Sequence, residues 1–157
     1  MRILYIPDPI FVETERFLRR RGKSGKEGLV LWAGQKDATG RAYVLMTIKA
    51  GDSWPHGVRL RFPQMVKLTQ LLASNGMILI AQVHNHPGSL PHSLGDEENP
   101  TSHEVGYLSI VVPDMGLQGM DLQRCFIYEY QSHLQWRELN NKEKCLLFKI
   151  LPNGLHL

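Results

Sequence analysis

Residues 77–96, MILIAQVHNHPGSLPHSLGD, join a buried strand to a group of metal-ligating side chains. The first seven residues are apolar apart from Gln82, which is typical of a strand that is covered on both faces. His84 and His86 follow at its end, two residues apart. Because side chains alternate between the two faces of a strand, both imidazoles point to the same side and are placed to bind one metal ion. Pro87 then ends the strand.

Asp96 lies beyond the histidine pair, after a loop rich in Gly, Pro and Ser. A loop of that length can return the carboxylate to the two imidazoles as a third ligand. Two histidines, one carboxylate and an open fourth position describe a catalytic zinc site, whereas a structural zinc site is closed by four protein ligands. Asn85 points to the opposite face and is expected to be structural. The remaining histidines are expected to be solvated side chains: His56, His92, His103, His133 and His156.

The patterns on either side of this stretch predict a mixed α/β fold with two principal helices. Residues 8–22 begin with the helix-starting pair Asp-Pro and end at a glycine, and residues 63–75 show an apolar helical face before Gly76. Strands are predicted at 29–33, 42–50 and 107–113, with a hairpin turn around Gln131 and Ser132.

Two stretches lack a regular pattern and are predicted to be loops, residues 51–57 and residues 87–105. Residues 141–157 predict a short apolar helix. Packing of that helix onto the core is the simpler expectation, and a dimer contact is the alternative.

Length and composition restrict the class of protein. With 157 residues, 43% of them hydrophobic and 21% charged, the chain is typical of one soluble globular domain. The net charge is +3, and the basic run 19–26 has no interleaved aromatic residues, so we expect no nucleic-acid partner. The two cysteines are distant from each other and from the histidines, which argues against a disulfide framework. We expect no membrane span and no secretory signal, and hence a cytoplasmic protein.

Several hydrolase folds share an H-x-H pair, and the surrounding residues separate them. The amidohydrolase type needs a TIM barrel of about 250 residues, which this chain is too short to form. The metallo-β-lactamase pattern requires Asp and His directly after the pair, where this chain has Pro87, Gly88 and Ser89. The H-E-x-x-H motif and the zinc deaminase signature are both absent from the sequence.

HNHP at 84–87, followed by the His-Ser pair at 92–93 and then Asp96, resembles the H-x-H-P…S-x-x-D signature of the JAB/MPN (JAMM) zinc metallopeptidases. GYLSIVVPDMG at 106–116 is similar to a strand of the prokaryotic JAB branch. KEGLVLWAG at 26–34 resembles the early strand that carries the catalytic glutamate of this family. The spacing before the serine is shorter than in the eukaryotic signature and agrees with the prokaryotic branch.

The resemblance implies a role for each matching residue. His84, His86 and Asp96 would be the ligands of one Zn²⁺, with water as the fourth. Glu27 would be the general acid/base, and Ser93 would donate a hydrogen bond to the substrate oxygen. By spacing alone, Glu13 and Glu15 are as available as Glu27, and a shift of the third ligand to Glu97 or Glu98 stays open.

The resemblance covers roughly residues 10–138. It implies a single JAB/MPN domain over 1–157, with a core at about 10–138, a C-terminal tail at 139–157, and a curved mixed sheet of cytidine-deaminase-like architecture flanked by two main helices.

The implied activity is hydrolysis of the amide bond that follows the C-terminus of a ubiquitin-like protein, in deconjugation or in precursor processing. E1-like and E2-like proteins of a bacterial antiviral conjugation system of the Bil type would be further partners. One alternative is a non-catalytic MPN scaffold that binds partners, and another is a zinc hydrolase for a different small amide. A RadC-like role in DNA repair is disfavoured because no helix-hairpin-helix segment precedes the motif.

Overall fold

Eight strands form one curved mixed sheet in this computed structural model, which describes residues 2–50, 52–54 and 57–152. The strands in chain order are β1 (Leu4–Pro7), β2 (Leu29–Lys36), β3 (Ala42–Ala50), β4 (Asp52–Trp54), β5 (Gly57–Arg59), β6 (Ile78–Asn85), β7 (Leu108–Val112), β8 (Phe126–Ser132), β9 (Gln135–Glu138) and β10 (Phe148–Leu151). The large sheet has the order β10-β1-β3-β2-β6-β7-β8-β9, while β4 and β5 pair with each other. The mixed α/β prediction is confirmed.

The centre of the sheet is formed by β2, β6 and β7. β2 is antiparallel to β6, with Leu29 opposite His84, and β6 is parallel to β7, with His84 opposite Val111. The C-terminal end of β6 therefore has a hydrogen-bonded strand on each side. This arrangement holds the backbone of the histidine pair in place.

Helices cover both faces of the sheet. They are α1 (Asp8–Lys23), α2 (Phe62–Asn75), α3 (Leu94–Glu98) and α4 (Asn141–Leu147). α1 carries a proline in its first turn and basic residues in its last turn, where they complement the helix dipole. α2 ends at Gly76, whose φ of 61° is the left-handed conformation that favours glycine.

Two hydrophobic clusters lie on opposite faces of β2. Val30 and Trp32 belong to the cluster that contains Leu18 of α1, whereas Leu29 and Leu31 belong to the cluster that contains Leu68 of α2. Consecutive side chains of β2 thus enter different clusters, so the predicted strand covered on both faces is confirmed.

Five elements differ from the sequence predictions. β1 and β10 pair in parallel, so the large sheet extends beyond the expected core of 10–138 in both directions. The predicted loop at 87–105 contains α3, and the predicted loop at 51–57 contributes to β4 and β5, with residues 51, 55 and 56 outside the described residues. Short elements of three to five residues show little periodicity, which explains why the pattern misses them.

In the part of the chain that the structure describes, no helix is both long and apolar enough to cross a bilayer.

Candidate metal centre

His84 lies near the end of β6 and His86 directly after it, on the face of the sheet that α2 covers. Both are buried, and their ring centroids are 4.7 Å apart at an interplanar angle of 72°. The alternation of side chains therefore brings the imidazoles of His84 and His86 together, as the H-x-H spacing predicts.

Asp96 reaches the same point from α3. Its Oδ1 lies 3.3 Å from Nε2 of His84, and its Oδ2 lies 3.4 Å from Nε2 of His86. Each of the three residues offers one atom that could ligate a metal ion, and these three atoms all lie within 4.8 Å of one another. The carboxylate in this group is that of Asp96, and neither Glu97 nor Glu98 belongs to it.

Ser93 orients Asp96 through a capping box. The Ser93 N–H donates to Oδ2 of Asp96 at 2.8 Å, and the Asp96 N–H donates to Oγ of Ser93 at 3.1 Å. These reciprocal bonds start α3 and fix the position of the carboxylate relative to the helix backbone. Because the Ser93 hydroxyl is the acceptor here, it keeps its own hydrogen for donation elsewhere.

The hydrogen bonds of the histidines fit a bound metal ion. Nδ1 of His86 lies 3.0 Å from the carbonyl oxygen of Pro91 and 3.3 Å from that of Leu90. When Nδ1 carries the hydrogen and donates it to these carbonyls, Nε2 keeps a lone pair that points at Asp96. A histidine that binds a metal ion through Nε2 needs this tautomer. Among the described residues, neither ring nitrogen of His84 makes a hydrogen bond of good geometry, although both are buried and Nε2 lies 3.3 Å from Oδ1 of Asp96.

A buried nitrogen without a partner is costly unless a ligand occupies it. The set of two imidazoles and one carboxylate suits a divalent transition metal. The residues present therefore fit the metal ion that the motif implies.

The electrostatic environment favours the protonation states that metal binding requires. Burial, together with the neighbouring His84, lowers the pKa of His86, so its ring is neutral at neutral pH. Burial by itself would raise the pKa of Asp96, but the contact with His84 and the Ser93 N–H outweigh burial and lower it. Asp96 is therefore ionised, and a negative charge stands between two imidazoles.

Glu27 reaches this group because of the pairing between β2 and β6. Leu29 is opposite His84 in the antiparallel register, and extending that register by two residues sets Glu27 opposite His86. Its Oε1 lies 4.0 Å from Nε2 of His86, and its side chain is only 12% exposed. The structure thus brings the predicted acid/base beside the three residues that could hold a metal ion.

The two other glutamates that spacing alone left open lie elsewhere. Glu13 pairs with Lys49 at 2.8 Å, and Oε2 of Glu15 accepts the Met120 N–H at 2.7 Å. Neither carboxylate is in the group formed by the histidines and Asp96.

Asn85 fixes the segment that carries Glu27. Its side chain is fully buried on the opposite face of β6, as the alternation predicts. Its Oδ1 accepts the Gly28 N–H at 2.7 Å, and its Nδ2 donates to the carbonyls of Met115 at 2.9 Å and Leu18 at 3.3 Å. The residue between the two histidines therefore ties β6 to α1 and to the residue that follows Glu27.

Two cavities meet at this centre. One, of about 310 Å³, is lined by Leu29, Met65, Gln82, His84, Ser93 and Asp96 among others. The second, of about 350 Å³, is lined by Glu27, His86, Leu90, His92, Ser93 and Asp96 among others. Ser93 and Asp96 line both, so an extended molecule can pass over them from one cavity into the other.

The prediction that His92 is a solvated side chain is wrong. Its ring stacks on Tyr128 with centroids 4.1 Å apart, and its Nε2 lies 2.8 Å from Oγ of Ser109. Burial lowers its pKa to about 4, so the ring is neutral at neutral pH. His103 and His133 are exposed as expected, whereas His56 and His156 lie outside the residues whose side chains the structure describes.

The chain was compared with protein-family models and with known protein sequences. No protein-family model matches the chain. Its sequence is 27% identical, over 143 residues and 88% of each chain, to a protein named probable metalloprotease y4jG of Sinorhizobium fredii (strain NBRC 101917 / NGR234).

Two solved structures are similar in fold. The solution structure of protein DSY2949 from Desulfitobacterium hafniense aligns with a TM-score of 0.68 at 12% identity, and covers 96% of this chain and 94% of its own. A solution structure of a protein from Salinibacter ruber (strain DSM 13855) aligns with a TM-score of 0.54 at 14% identity, and covers 86% of this chain and 88% of its own. At these identities the likeness concerns the fold alone.

Proposed function

We propose that this protein is a zinc-dependent peptidase of the JAB/MPN (JAMM) type, of the prokaryotic JAB branch. The observation that carries the proposal is the group of two buried histidines, His84 and His86, and the partly buried Asp96, with the carboxylate of Glu27 beside it. The similarity to a protein named a probable metalloprotease supports the same class of enzyme.

His84, His86 and Asp96 would hold the ion. A bound Zn²⁺ would supply a Lewis acid that polarises the scissile carbonyl and favours deprotonation of water at neutral pH. Glu27 would take a proton from the attacking water and deliver it to the departing amine, a function commonly worth about 10²- to 10⁴-fold in rate.

Ser93 would donate its hydroxyl hydrogen to the carbonyl oxygen as negative charge develops there. Loss of one such donor costs about 10²- to 10³-fold in turnover. The capping box supports this role, since Ser93 uses its oxygen as an acceptor toward Asp96 and retains its hydrogen.

The two cavities suggest how a substrate lies across the centre. Glu27 lines the second cavity and not the first, so the amine product would leave through the second cavity, where its proton donor stands. The acyl side of the substrate would then occupy the first cavity. A centre open on both sides favours cleavage within an extended substrate, as an isopeptidase requires.

The proposed substrate is a ubiquitin-like protein whose C-terminal amide bond is hydrolysed, in deconjugation or precursor processing in the cytoplasm. The support is the resemblance of the motif to the prokaryotic JAB branch. E1-like and E2-like proteins of a bacterial antiviral conjugation system are the proposed partners.

The test combines metal content with cleavage by the full chain. Purified protein is expected to contain one Zn²⁺ per chain and to release a reporter fused to the C-terminus of a bacterial ubiquitin-like protein. Glu27→Ala should retain the metal and lose cleavage, whereas His84→Ala should lose both. Glu13→Ala, which removes an exposed carboxylate paired with Lys49, is the matched control and should keep both.

Three outcomes would contradict parts of the proposal. Protein without bound metal under chelator-free conditions would favour a non-catalytic scaffold. Full activity of Glu27→Ala would refute the role of Glu27. Bound zinc with cleavage of small amides, but not of the fusion, would point to a different amide substrate.

A further inference from the structure

The third ligand of the proposed metal site lacks the support that the first two receive from the sheet. His84 and His86 lie on or directly after β6, with side chains 3% and 7% exposed, whereas the side chain of Asp96 is 19% exposed. α3 has five residues, none of them buried. So short a helix has little stability of its own and depends on tertiary contacts for its position.

Those contacts come from the far edge of the sheet. The His92 N–H donates to the Tyr128 hydroxyl at 3.2 Å, and the His92 ring stacks on the Tyr128 ring at an interplanar angle of 7°. Nε1–H of Trp136 donates to the carbonyl of Glu97 at 3.2 Å. The ring of Trp136 also packs edge-on against His92, with centroids 5.0 Å apart.

The residues of this segment that make these contacts lie on either side of Asp96 in the sequence. His92 directly precedes Ser93, and Glu97 directly follows Asp96. Tyr128 on β8 and Trp136 on β9 therefore hold the two ends of the segment that carries the capping serine and the carboxylate. We call His92, Tyr128 and Trp136 the aromatic clamp.

His92 is also tied to the strand beside the ligands. Its Nε2 meets Oγ of Ser109 on β7 at 2.8 Å, and the same Oγ accepts a hydrogen bond from Nε2 of Gln82 on β6 at 3.2 Å. Since β6 carries His84 and leads directly into His86, this chain of hydrogen bonds links the clamp to the rigid half of the site.

We propose that the aromatic clamp positions Asp96 for metal binding, so that His92, Tyr128 and Trp136 determine the affinity of the site without touching the ion. The inference rests on the proposed function, because it needs a metal at His84, His86 and Asp96. Outer groups that orient metal ligands commonly change affinity by about 10- to 100-fold when they are removed. A carboxylate on a short exposed helix is the ligand most sensitive to such a loss.

The experiment measures the affinity of the purified full chain for Zn²⁺ by competition with a chromophoric chelator. Trp136→Phe keeps an aromatic ring and deletes the donor to Glu97, while Tyr128→Phe keeps the stacked ring and deletes the hydroxyl that His92 contacts. Each is expected to weaken Zn²⁺ binding by about 10-fold or more.

Two matched controls separate positioning from general loss of stability. Trp32→Phe deletes an indole donor that bonds Thr14 at 2.9 Å on the opposite face of β2, and Tyr43→Phe deletes a hydroxyl that lies 3.2 Å from Asp37. Both should bind Zn²⁺ as the wild type does, even where the Trp32 variant unfolds at a lower temperature.

The proposed role of the clamp would be overturned, and the metal site left intact, if Trp136→Phe and Tyr128→Phe bound Zn²⁺ with affinities within twofold of wild type. Equal weakening in Trp32→Phe would also overturn it, because the effect would then follow overall stability. Absence of Zn²⁺ binding in the wild type would overturn the proposed function and, with it, the clamp.

Discussion

Replacement of Asn85 by alanine is expected to lower the free energy of unfolding by about 2–4 kcal/mol. The amide is fully buried and satisfies the Gly28 N–H at 2.7 Å and two carbonyls at 2.9 and 3.3 Å. A buried donor that loses its acceptor costs about 1–3 kcal/mol, and each carbonyl contributes less because it has a second lone pair. The cavity left by the amide adds to the loss.

Urea unfolding of the metal-free protein measures this prediction directly. Asn75→Ala is the matched control, because that side chain is exposed and makes one hydrogen bond, to the carbonyl of Leu71 at 2.8 Å. The control is expected to stay within about 0.5 kcal/mol of wild type. A loss of less than about 1 kcal/mol in Asn85→Ala would refute the reasoning that this amide bridges β6, α1 and the Glu27 segment.

Asn85→Asp tests the two hydrogen bonds that the side-chain NH₂ group of Asn85 donates. The introduced carboxyl can still accept the Gly28 N–H, but when ionised it faces two carbonyl oxygens in a buried position. Its pKa in the folded state should be raised, so the folded state binds the proton more tightly than the unfolded state. The deficit in stability relative to wild type should therefore shrink as pH falls, and a deficit that grows on acidification would contradict this account.

Further predictions concern the proposed metal ligands and the packing of β2. Asp96→Ala should abolish stoichiometric Zn²⁺ binding in equilibrium dialysis while leaving a folded protein by circular dichroism, since this partly exposed side chain contacts the two imidazoles and caps only the five-residue α3 through the Ser93 N–H. Zn²⁺ at about 100 times its dissociation constant should stabilise the wild type by about 2.7 kcal/mol in thermal unfolding, and unchanged stability would argue against binding to the folded state. Trp32→Phe should cost more than about 1 kcal/mol in urea unfolding, through loss of the buried bond to Thr14 and through the cavity left by the fully buried indole. Gly34→Ala should fail to fold or lose more than about 2 kcal/mol, because its Cβ would lie 1.8 Å from the carbonyl oxygen of Tyr43 in the paired strand.

The sequence predicts well those features that depend on local periodicity. The helices at 8–23 and 62–75 and the strands of the central sheet follow from apolar spacing and from the residues that start and stop helices. β1 and β10 escape prediction because each has only four residues and depends on pairing with distant strands: β1 with β3 and β10, and β10 with β1 across most of the length of the chain. α3 escapes because its five residues form around the Ser93 capping box and the contacts of the clamp.

The same distinction between local patterns and contacts of distant segments applies to the candidate site. The H-x-H spacing predicts that His84 and His86 share a face, and the structure brings them together for that reason. His92 looks like a solvated histidine in a loop because its partners, Tyr128 and Trp136, lie on strands more than thirty residues later. No local pattern in the sequence indicates that contact.

The sequence by itself determined the donor types, their order and the orientation of the two histidines, because side-chain alternation is a property of a single strand. Only the tertiary structure decided which carboxylates join them. The antiparallel register of β2 and β6 brings Glu27 to His86 and leaves Glu13 and Glu15 elsewhere. The anchoring of α3 brings Asp96 to both imidazoles, in preference to Glu97 or Glu98. Register and docking depend on contacts between distant segments, and a short window of sequence contains no signal for them.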